Sequence, residues 1–295
     1  MYIGIDLGTS GVKTILTDES GKVVDSASSS LTVAIPQPLW SEQNPEDWWT
    51  ATCATLDELK QRNDLSVVKA LGLAGQMHGA TLLDKVGQVL RPAILWNDGR
   101  SEAQCRTLES TIIKARVITG NLVMPGFTAP KLLWIKENEP DIFKQVDKVL
   151  LPKDYLRYKL TGEFASDMSD SAGTSWLNTG ERSWSKSMLM ACGLSEKHMP
   201  TLYEGNEITG YLTAKTAKRW GMKAVPVVAG AGDNAAGAVG CGIVDAGQAM
   251  LSLGTSGVYF AVTNDYRSDP ESAVHSFCHA VGHRWHLMSV MLSAA

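Results

Sequence analysis

The hexapeptide Leu-Gly-Thr-Ser-Gly-Val occurs twice in this 295-residue chain, near the start at Leu7–Val12 and near the end at Leu253–Val258. Each copy lies between two short runs of apolar and β-branched residues, which is the pattern of a strand, a tight turn and a second strand. Glycine and small hydroxyl residues allow the amides of such a turn to approach a ligand closely. The repeat therefore predicts two hairpins of a duplicated fold, rather than two unrelated turns that share their letters.

Two hairpins of this kind can form a phosphate clamp, because their N–H and hydroxyl groups can bind a polyphosphate from opposite sides. Neither turn contains the lysine of a G-x-x-x-x-G-K-[ST] loop, so a Walker-type site is excluded. Lys13 follows the first turn, where its side chain can either reach a phosphate or stay exposed on its strand. The residues predicted to bind phosphate are Gly8, Thr9, Ser10, Lys13, Gly254, Thr255 and Ser256.

The two copies differ in the residue that precedes them, since Asp6 precedes the first and Ser252 precedes the second. An isolated aspartate at this place is often a turn-capping residue. Beside phosphates, however, a single carboxylate suits hydrated Mg²⁺, which keeps several waters and takes only one or two carboxylates. We therefore predict that Asp6 is a catalytic residue and the metal ligand.

Charge and cysteine content limit the partners and the compartment. The net charge of −4 gives no electrostatic basis for binding nucleic acid or a membrane surface. The N-terminal residues lack the basic and apolar regions of a secretory signal. The five cysteines are scattered and form no C-x-x-C pair, which predicts free thiols in a reducing cytoplasm. The oligomeric state is left open, with a homodimer as one option.

The chain is long enough for two hydrophobic cores. After a β-branched strand at Val225–Ala229 and a small-residue helix at Ala235–Val244, the strand–turn–strand pattern of the opening returns. We therefore place a first domain at residues 1–244 and the start of a second at residues 245–295. The second domain is expected to be incomplete, because the final run Met291–Ala295 is apolar and carries no signal of a closing helix.

Asp233 lies where the predicted strand at Val225–Ala229 leads into the predicted small-residue helix. In α/β folds, catalytic groups gather at such strand ends. Aspartate is also a favoured helix N-cap, and one residue can serve both roles. A helix N-terminus favours the ionised carboxylate, which can accept the proton of a hydroxyl group during phosphoryl transfer.

Two glycine- and polar-rich loops contain candidate ligands for a polyol. The first loop follows a predicted strand at Val67–Ala74 and holds Gln76, Met77 and His78 between two glycines. The second holds Asn97 after a predicted strand at Ala93–Trp96. Both loops follow strands, so their side chains can bind a hydroxylated ligand or simply form structured turns.

Four of the six histidines lie close together near the end of the chain, with a cysteine among them, as a zinc site would require. These residues are His275, Cys278, His279, His283 and His286. The adjacent Cys278 and His279 would point to opposite faces of a strand, and no second thiol accompanies them. We therefore predict ordinary strand and turn residues here.

Taken together, seven sequence blocks resemble the FGGY family of carbohydrate kinases. The blocks are Ile5–Lys13, Leu39–Trp49, Gly75–Asp84, Ile94–Arg100, Leu151–Thr174, Gly230–Gly240 and Leu251–Phe260. The family's fold is similar to that of actin, Hsp70 and hexokinase, with two ribonuclease-H-like domains and the nucleotide between them. The resemblance implies an α/β chain of this ATPase type, in which the first domain is complete and the second has only begun.

The resemblance also implies a reaction, the phosphorylation of D-xylulose to D-xylulose 5-phosphate with ATP and Mg²⁺. It implies that Asp233 is the general base, that Asp6 lies near Mg²⁺ and the γ-phosphate, and that Met77 and His78 bind the sugar. Asn234, Gln76 and Asn97 are expected beside them in the sugar site.

Other functions stay open on the sequence. One is a related kinase for ribulose, glycerol or gluconate; a second is a nucleotide switch of the actin or Hsp70 type; a third is a sugar-binding module. Since the family's glycine-rich adenosine-binding segment is missing from these residues, the chain alone is expected to show little or no turnover.

Overall fold

The computed structural model describes residues 1–254 and 257–291. These residues form one seven-stranded sheet and several smaller sheets, with nineteen strands in all. The strands are β1 (Tyr2–Leu7), β2 (Gly11–Thr17), β3 (Val23–Ser30), β4 (Glu42–Gln43), β5 (Ala70–Gly75), β6 (Thr81–Leu83), β7 (Ala93–Ile94), β8 (Lys148–Leu150), β9 (Ala165–Asp167), β10 (Leu177–Asn178), β11 (Ser183–Trp184), β12 (Thr201–Tyr203), β13 (Ile208–Tyr211), β14 (Pro226–Val228), β15 (Ala231–Gly232), β16 (Ala249–Leu253), β17 (Gly257–Thr263), β18 (His275–Cys278) and β19 (Trp285–Met291).

Helices cover the sheet and connect its strands. The α-helices are α1 (Pro45–Arg62), α2 (Glu102–Thr111), α3 (Ala115–Thr119), α4 (Thr128–Asn138), α5 (Pro140–Phe143), α6 (Pro152–Thr161), α7 (Met168–Ser171), α8 (Lys186–Ala191), α9 (Ala214–Trp220) and α10 (Asp233–Gly240). Short 3₁₀ helices span Leu65–Val67, Ala172–Thr174, Glu196–His198 and Pro270–Ser272. In the part of the chain that the structure describes, no helix combines the length and apolarity needed to cross a membrane.

The strand order of the large sheet is β13-β14-β5-β1-β2-β3, and β15 also pairs with β5. The first three strands are antiparallel, whereas β1, β14 and β15 all run parallel to β5. Leu7 pairs with Val12, so the first hexapeptide forms the connection of a hairpin as predicted. The mixed sheet with its helices confirms the predicted α/β class.

Alternation along β1 gives the large sheet two different faces. Ile3, Ile5 and Leu7 are buried in one core together with residues of α1 and α6. Helix α1 begins at Pro45, and the Asn44 side chain accepts a hydrogen bond from an amide of its first turn, as the Asn-Pro-Glu sequence predicts. Burial of these apolar side chains fixes which face of the sheet the helices cover.

The other face of the sheet is the floor of a cleft of about 780 Å³. Gly4 and Asp6 of β1 line it, together with Gly72 and Ala74 of β5. These residues alternate with the buried ones, and three of the four carry little or no side chain, so the floor stays open. Helix α10 and the loop after β18 provide further wall residues, namely Ala236, Val239, Gly240, Ala280 and Val281.

A second, antiparallel sheet in the order β16-β17-β19-β18 follows α10. Its strands β16 and β17 pair on either side of the second hexapeptide, which confirms that this copy also connects two strands. Phe260 and Phe277 of this sheet pack with Met77 and Phe127, which belong to the preceding part of the chain. The two sheets therefore share an apolar contact beside the loop that follows β5.

Several predicted boundaries are wrong by a few residues. The strand predicted at Val67–Ala74 begins at Ala70, because Asp64 caps the 3₁₀ helix that precedes it. The strand predicted at Ala93–Trp96 ends at Ile94. The helix predicted at Ala235–Val244 begins at Asp233 and ends at Gly240.

Candidate active site

Three parallel strands end at the same level, and the segments that follow them form the candidate site. Gly75 at the end of β5 pairs with Leu7 at the end of β1 and with Gly232 at the end of β15. The first hexapeptide turn, the loop with Met77 and His78, and helix α10 with Asp233 therefore start side by side. Crevices at the carboxyl ends of parallel strands are the usual ligand sites of α/β folds.

The first hexapeptide turn presents free backbone donors. Its closing hydrogen bond runs from the Gly8 N–H to the Gly11 carbonyl at 2.9 Å. The N–H groups of Thr9 and Ser10 have no acceptor among residues 1–254 and 257–291. A Cβ atom at Gly11 would lie 2.7 Å from the Ser29 carbonyl oxygen, so this position requires glycine. Such a turn can bind an anion through its two free amides.

The Thr9 hydroxyl forms hydrogen bonds with two other side chains of the protein. It donates to Gln76 Oε1 at 3.0 Å and accepts a hydrogen bond from Trp96 Nε1 at 3.0 Å. Gln76 Nε2 donates to Gln43 Oε1 at 3.1 Å, and Gln43 Nε2 donates to the Thr9 carbonyl at 2.7 Å. We call these four residues the Thr9 network. Within it, Gln76 is buried and engaged at both ends, so its contact is with the turn and not with the cleft.

His78 adopts an unusual backbone conformation that two neighbouring side chains support. Its φ of 69° lies in the left-handed region, which is costly for a residue other than glycine. Its carbonyl accepts hydrogen bonds from Thr128 Oγ1 at 3.1 Å and from Lys131 Nζ at 3.0 Å. Lys131 is fully buried, donates also to the Gly126 carbonyl at 2.7 Å, and has its pKa lowered by burial to about 7.

The His78 ring is held as a neutral hydrogen-bond acceptor. Nδ1 lies 2.7 Å from the Gly173 carbonyl oxygen, which can only accept, so Nδ1 carries the proton and Nε2 a lone pair. Burial lowers the pKa of His78 to about 3. The ring stacks on Phe127 with centroids 4.7 Å apart. Nε2 has no partner in the described part of the chain, so it can accept a hydrogen bond from a ligand hydroxyl group.

Met77 connects this loop to the start of α10. Its side chain is buried, and a Cβ atom at Gly232 would lie 2.9 Å from its sulfur. Met77 therefore packs directly against the residue that precedes Asp233. The structure thus brings Met77, His78 and the Asp233 segment together, as the sequence predicts.

Asp233 is the first residue of α10, and Gly232 occupies the N-cap position. Asp233 Oδ1 accepts hydrogen bonds from the Asn234 N–H at 2.7 Å and from Asn234 Nδ2 at 3.0 Å. Oδ2 has no partner among the described residues and is free to accept a ligand proton. The residue is exposed to solvent at the start of α10, yet surrounding protein atoms displace much of the hydration of its carboxylate.

This loss of hydration, assisted by the negative charge of Asp6, raises the pKa of Asp233 to about 6. The net direction is opposite to the effect expected from the helix N-terminus alone, because desolvation outweighs it. The carboxylate is still mainly ionised at neutral pH.

Asp6 lies on the cleft floor opposite Lys13, its partner across the first hairpin. Burial raises the pKa of Asp6, and the positive charge of Lys13 opposes that effect. In residues 1–254 and 257–291, no group of three or more His, Cys, Asp or Glu side chains forms a metal centre. A single carboxylate in an open cleft fits Mg²⁺ with most of its ligands supplied by water and phosphate.

The remaining predicted site residues lie apart from this centre or outside the described residues. Asn97 is exposed, and its side chain has no hydrogen-bond partner among the described residues. Gly254 is exposed at the end of β16, while Thr255 and Ser256 lie outside the described residues. The second half of the predicted clamp therefore stays a prediction.

The C-terminal histidines have separate partners. His279 Nε2 lies 3.1 Å from the Ile243 carbonyl, whereas the ring of His286 stacks on Phe260 with centroids 4.0 Å apart. The Cys278 thiol donates to the Thr179 carbonyl. Cys278 is the last residue of β18, so His279 follows the strand and does not belong to it as predicted, and the two side chains contact different segments.

The residues whose side chains support the backbone of His78 were not predicted from the sequence. Thr128 and Lys131, which support His78, lie outside the seven sequence blocks that carry the family resemblance. Lys131 interrupts the apolar sequence Ala-Pro-Lys-Leu-Leu-Trp, and a lysine on a buried helix face is a signal that could have been noticed.

Removal of the Thr9 hydroxyl tests its internal role. In Thr9→Val, the side chain of Gln76 and the indole N–H of Trp96 lose their partner. We expect the free energy of unfolding in urea to fall by about 1–3 kcal/mol. Ser10→Ala is the control, since the exposed Ser10 hydroxyl has no partner in the described residues, and it should change stability by less than about 0.5 kcal/mol. Equal stabilities of the two variants would contradict the network.

Neutralising Asp6 tests whether its charge raises the pKa of Asp233. In Asp6→Asn, the pKa of Asp233 should fall from about 6 toward its usual range, because one of the causes that raise it is removed. The measurement is an NMR titration of the aspartate carboxyl carbons in residues 1–295. Asp18→Asn, at the opposite end of β2, is the control and should leave that pKa unchanged. A pKa that does not respond to Asp6→Asn would contradict this effect.

Comparisons with known proteins agree with this geometry. The family model for the FGGY family of carbohydrate kinases, N-terminal domain, matches residues 1–240. Xylulose kinase from Escherichia coli (strain K12) is 68% identical over 295 residues, which are 100% of this chain and 61% of that protein. Xylulose kinase from Klebsiella pneumoniae is 65% identical over the same shares. The chain thus spans about 61% of the length of these curated relatives.

Two solved structures extend the comparison to the fold. A xyloylose kinase from Brucella ovis is 54% identical, with a TM-score of 0.97 over 99% of this chain and 61% of that one. Xylulose kinase from Rhodospirillum rubrum is 28% identical, with a TM-score of 0.94 over 99% and 60%. The fold is therefore the actin- and hexokinase-type ATPase fold of these sugar kinases. The family model matches most of the chain, and Asp6, His78 and Asp233 lie together at the strand ends of this fold. The chain therefore belongs to the FGGY family of carbohydrate kinases.

Proposed function

We propose that the complete protein phosphorylates D-xylulose at its 5-hydroxyl with ATP, giving D-xylulose 5-phosphate. The observation that carries the proposal is the free Oδ2 of Asp233, on a carboxylate that is close enough to Asp6 for their charges to interact. The choice of sugar is supported by the 68% identity with the E. coli xylulose kinase over the whole chain.

Asp233 is the general base of the proposed reaction. Its Oδ2 accepts the proton of the 5-hydroxyl group while the hydroxyl oxygen attacks the γ-phosphorus of ATP. The bond from this phosphorus to the bridging oxygen breaks, and ADP leaves with the electron pair. A base with a pKa near 6 is ionised at pH 7 and remains basic enough to assist this transfer.

The sugar would lie between α10 and the loop that follows β5. His78 Nε2 accepts a hydrogen bond from a sugar hydroxyl, and the stacked Phe127 keeps the imidazole in place. Asn234 holds the carboxylate of Asp233 and stands beside the sugar. Met77 packs against Gly232 and keeps the two segments in contact. Asn97 stays a weaker candidate, since it is exposed outside this group.

The phosphates of ATP would lie at the first hairpin. The free N–H groups of Thr9 and Ser10 and the cation of Lys13 are the donors, and Gly8 allows the turn to approach. Asp6 would hold Mg²⁺ through its carboxylate or through metal-bound water. When bound, Mg²⁺ neutralises charge on the phosphate oxygens. Gly254, Thr255 and Ser256 are the proposed donors of the second hairpin.

The proposal includes a domain boundary and a compartment. We place the boundary after residue 244, between α10 and the sheet that begins at Ala249. Four of the five free cysteines are buried, and none is paired in the described residues, which suits a reducing cytoplasm.

A substrate panel tests the proposed reaction. The full-length protein that contains this chain is assayed for ADP release with Mg²⁺-ATP and D-xylulose, D-ribulose, glycerol or D-gluconate. We expect kcat/KM to be at least about tenfold higher for D-xylulose than for the others. A preference for another of these compounds would contradict the choice of sugar. Nucleotide binding without phosphorylation of any of them would favour a nucleotide switch, and sugar binding alone a sugar-binding module.

Replacement of the base tests the mechanism. In the full-length protein, Asp233→Asn should lower kcat by about 10²–10⁴-fold, because the amide cannot accept the proton. Calorimetry should show unchanged ATP binding. In the wild type, kcat/KM should fall as the pH drops below about 6, where Asp233 becomes protonated. Asp18→Asn is the control and should keep wild-type rates, whereas an active Asp233→Asn would remove Asp233 from the mechanism.

A further inference from the structure

Five charged residues form a fully buried group behind the candidate site. They are Lys153, Asp154 and Arg157 of α6 with Asp167 and Asp170 on the following segment, and we call them the ionic cluster. Lys153 Nζ lies 2.6 Å from Asp154 Oδ1 and 2.6 Å from Asp167 Oδ1. Arg157 Nη1 lies 2.6 Å from Asp154 Oδ1. No atom of these side chains is available to a ligand from solvent.

The ionic cluster is close to neutral as a whole. Lys153 and Arg157 balance the carboxylates of Asp154 and Asp167. Burial and the neighbouring carboxylates raise the pKa of Asp170 well above its usual range, which favours its neutral form. Since removal of one partner from a buried ion pair leaves an uncompensated charge, the cluster resists rearrangement. It therefore provides a stiff support for the segments bonded to it.

Two hydrogen-bond connections link the ionic cluster to the segment that leads to Asp233. Arg157 Nη2 donates to the carbonyl of Ala229, before β15. At the end of β15, the Gly232 N–H donates to Ser169 Oγ at 3.2 Å. Ser169 Oγ in turn donates to Asp167 Oδ2, which belongs to the cluster. The chain between Ala229 and Gly232 is thus held at both ends by one buried group.

The segment has little freedom between these two bonds. Gly230 has a φ of 74°, and a Cβ atom there would lie 1.9 Å from the Leu73 carbonyl oxygen of β5. Gly232 is the N-cap of α10, so the direction of its N–H helps set the direction of the first helical turn. Asp233 is the next residue, and its carboxylate depends on that direction.

We propose that Ser169 is a positioning residue for Asp233: it transmits the rigidity of the ionic cluster to the N-terminus of α10 through the Gly232 amide. This inference rests on the proposed function, because it assumes that Asp233 is the base. Without the hydroxyl, the amide of Gly232 loses its acceptor and the start of α10 can shift. A displacement of about 1 Å of a reacting group can cost up to about 10²-fold in rate.

A matched pair of serine variants tests the proposal in the full-length protein. Ser171 is buried like Ser169 and lies on the same helix, but its hydroxyl donates to Ser166 Oγ at 2.9 Å and has no bond to Gly232. Ser169→Ala should lower kcat for D-xylulose phosphorylation by about 10–100-fold, with ATP binding and Tm close to those of Ser171→Ala. Ser171→Ala should keep wild-type kcat. Ser169→Thr retains the hydroxyl and should keep more activity than Ser169→Ala.

Unchanged kcat in Ser169→Ala, or an equal loss in both alanine variants, would overturn the proposal. A loss of kcat that merely follows a fall in Tm would also overturn it, and Ser169→Thr serves if Ser169→Ala does not fold. An NMR titration of Asp233 in residues 1–295 separates this inference from the proposed function. Ser169→Ala should change the pKa of Asp233 and Ser171→Ala should not, whether or not the wild type phosphorylates a sugar.

Discussion

The parallel pairing of β1, β15 and β5 is the constraint on which the rest of the site depends. It places Leu7, Gly75 and Gly232 in one row, so that three unrelated loops begin side by side. Because side chains alternate along a strand, a slip of one residue in β1 would turn Asp6 into the core and a leucine into the cleft. The hydrophobic contacts of β1 with α1 and α6 prevent that slip.

Two polar networks then hold the loops in place. The Thr9 network joins the first hairpin to the loop after β5, and the ionic cluster holds the segment before Asp233. Inside both networks most hydrogen-bonding atoms have protein partners, whereas the free amides of the hairpin, His78 Nε2 and Asp233 Oδ2 face outward. The framework therefore uses most of its polar groups internally, and the outward-facing donors and acceptors are available to ligands.

Desolvation sets the chemistry of the two central side chains. It raises the pKa of Asp233 to about 6 and lowers that of His78 to about 3. At neutral pH, Asp233 is then mainly an ionised carboxylate that can accept a proton, and His78 is a neutral hydrogen-bond acceptor. The same physical cause produces opposite shifts because it disfavours the charged form of each group.

Local patterns were sufficient to predict that each hexapeptide connects two strands and that Asn44 caps α1, whereas the catalytic roles of Asp6 and Asp233 stay predictions. Turn chemistry, periodicity and capping act over a few neighbouring residues, so they can be read from the sequence. Three features could not be predicted in this way, because each depends on a partner far along the chain. They are the hydrogen bonds of the Thr9 hydroxyl, the tautomer of His78 and the support of Asp233 by Ser169. Ser169 and Gly232, for instance, are 63 residues apart. The sequence by itself determined which chemical groups are present at the strand ends, while the tertiary structure decided which of them are bonded internally and which remain free for substrates.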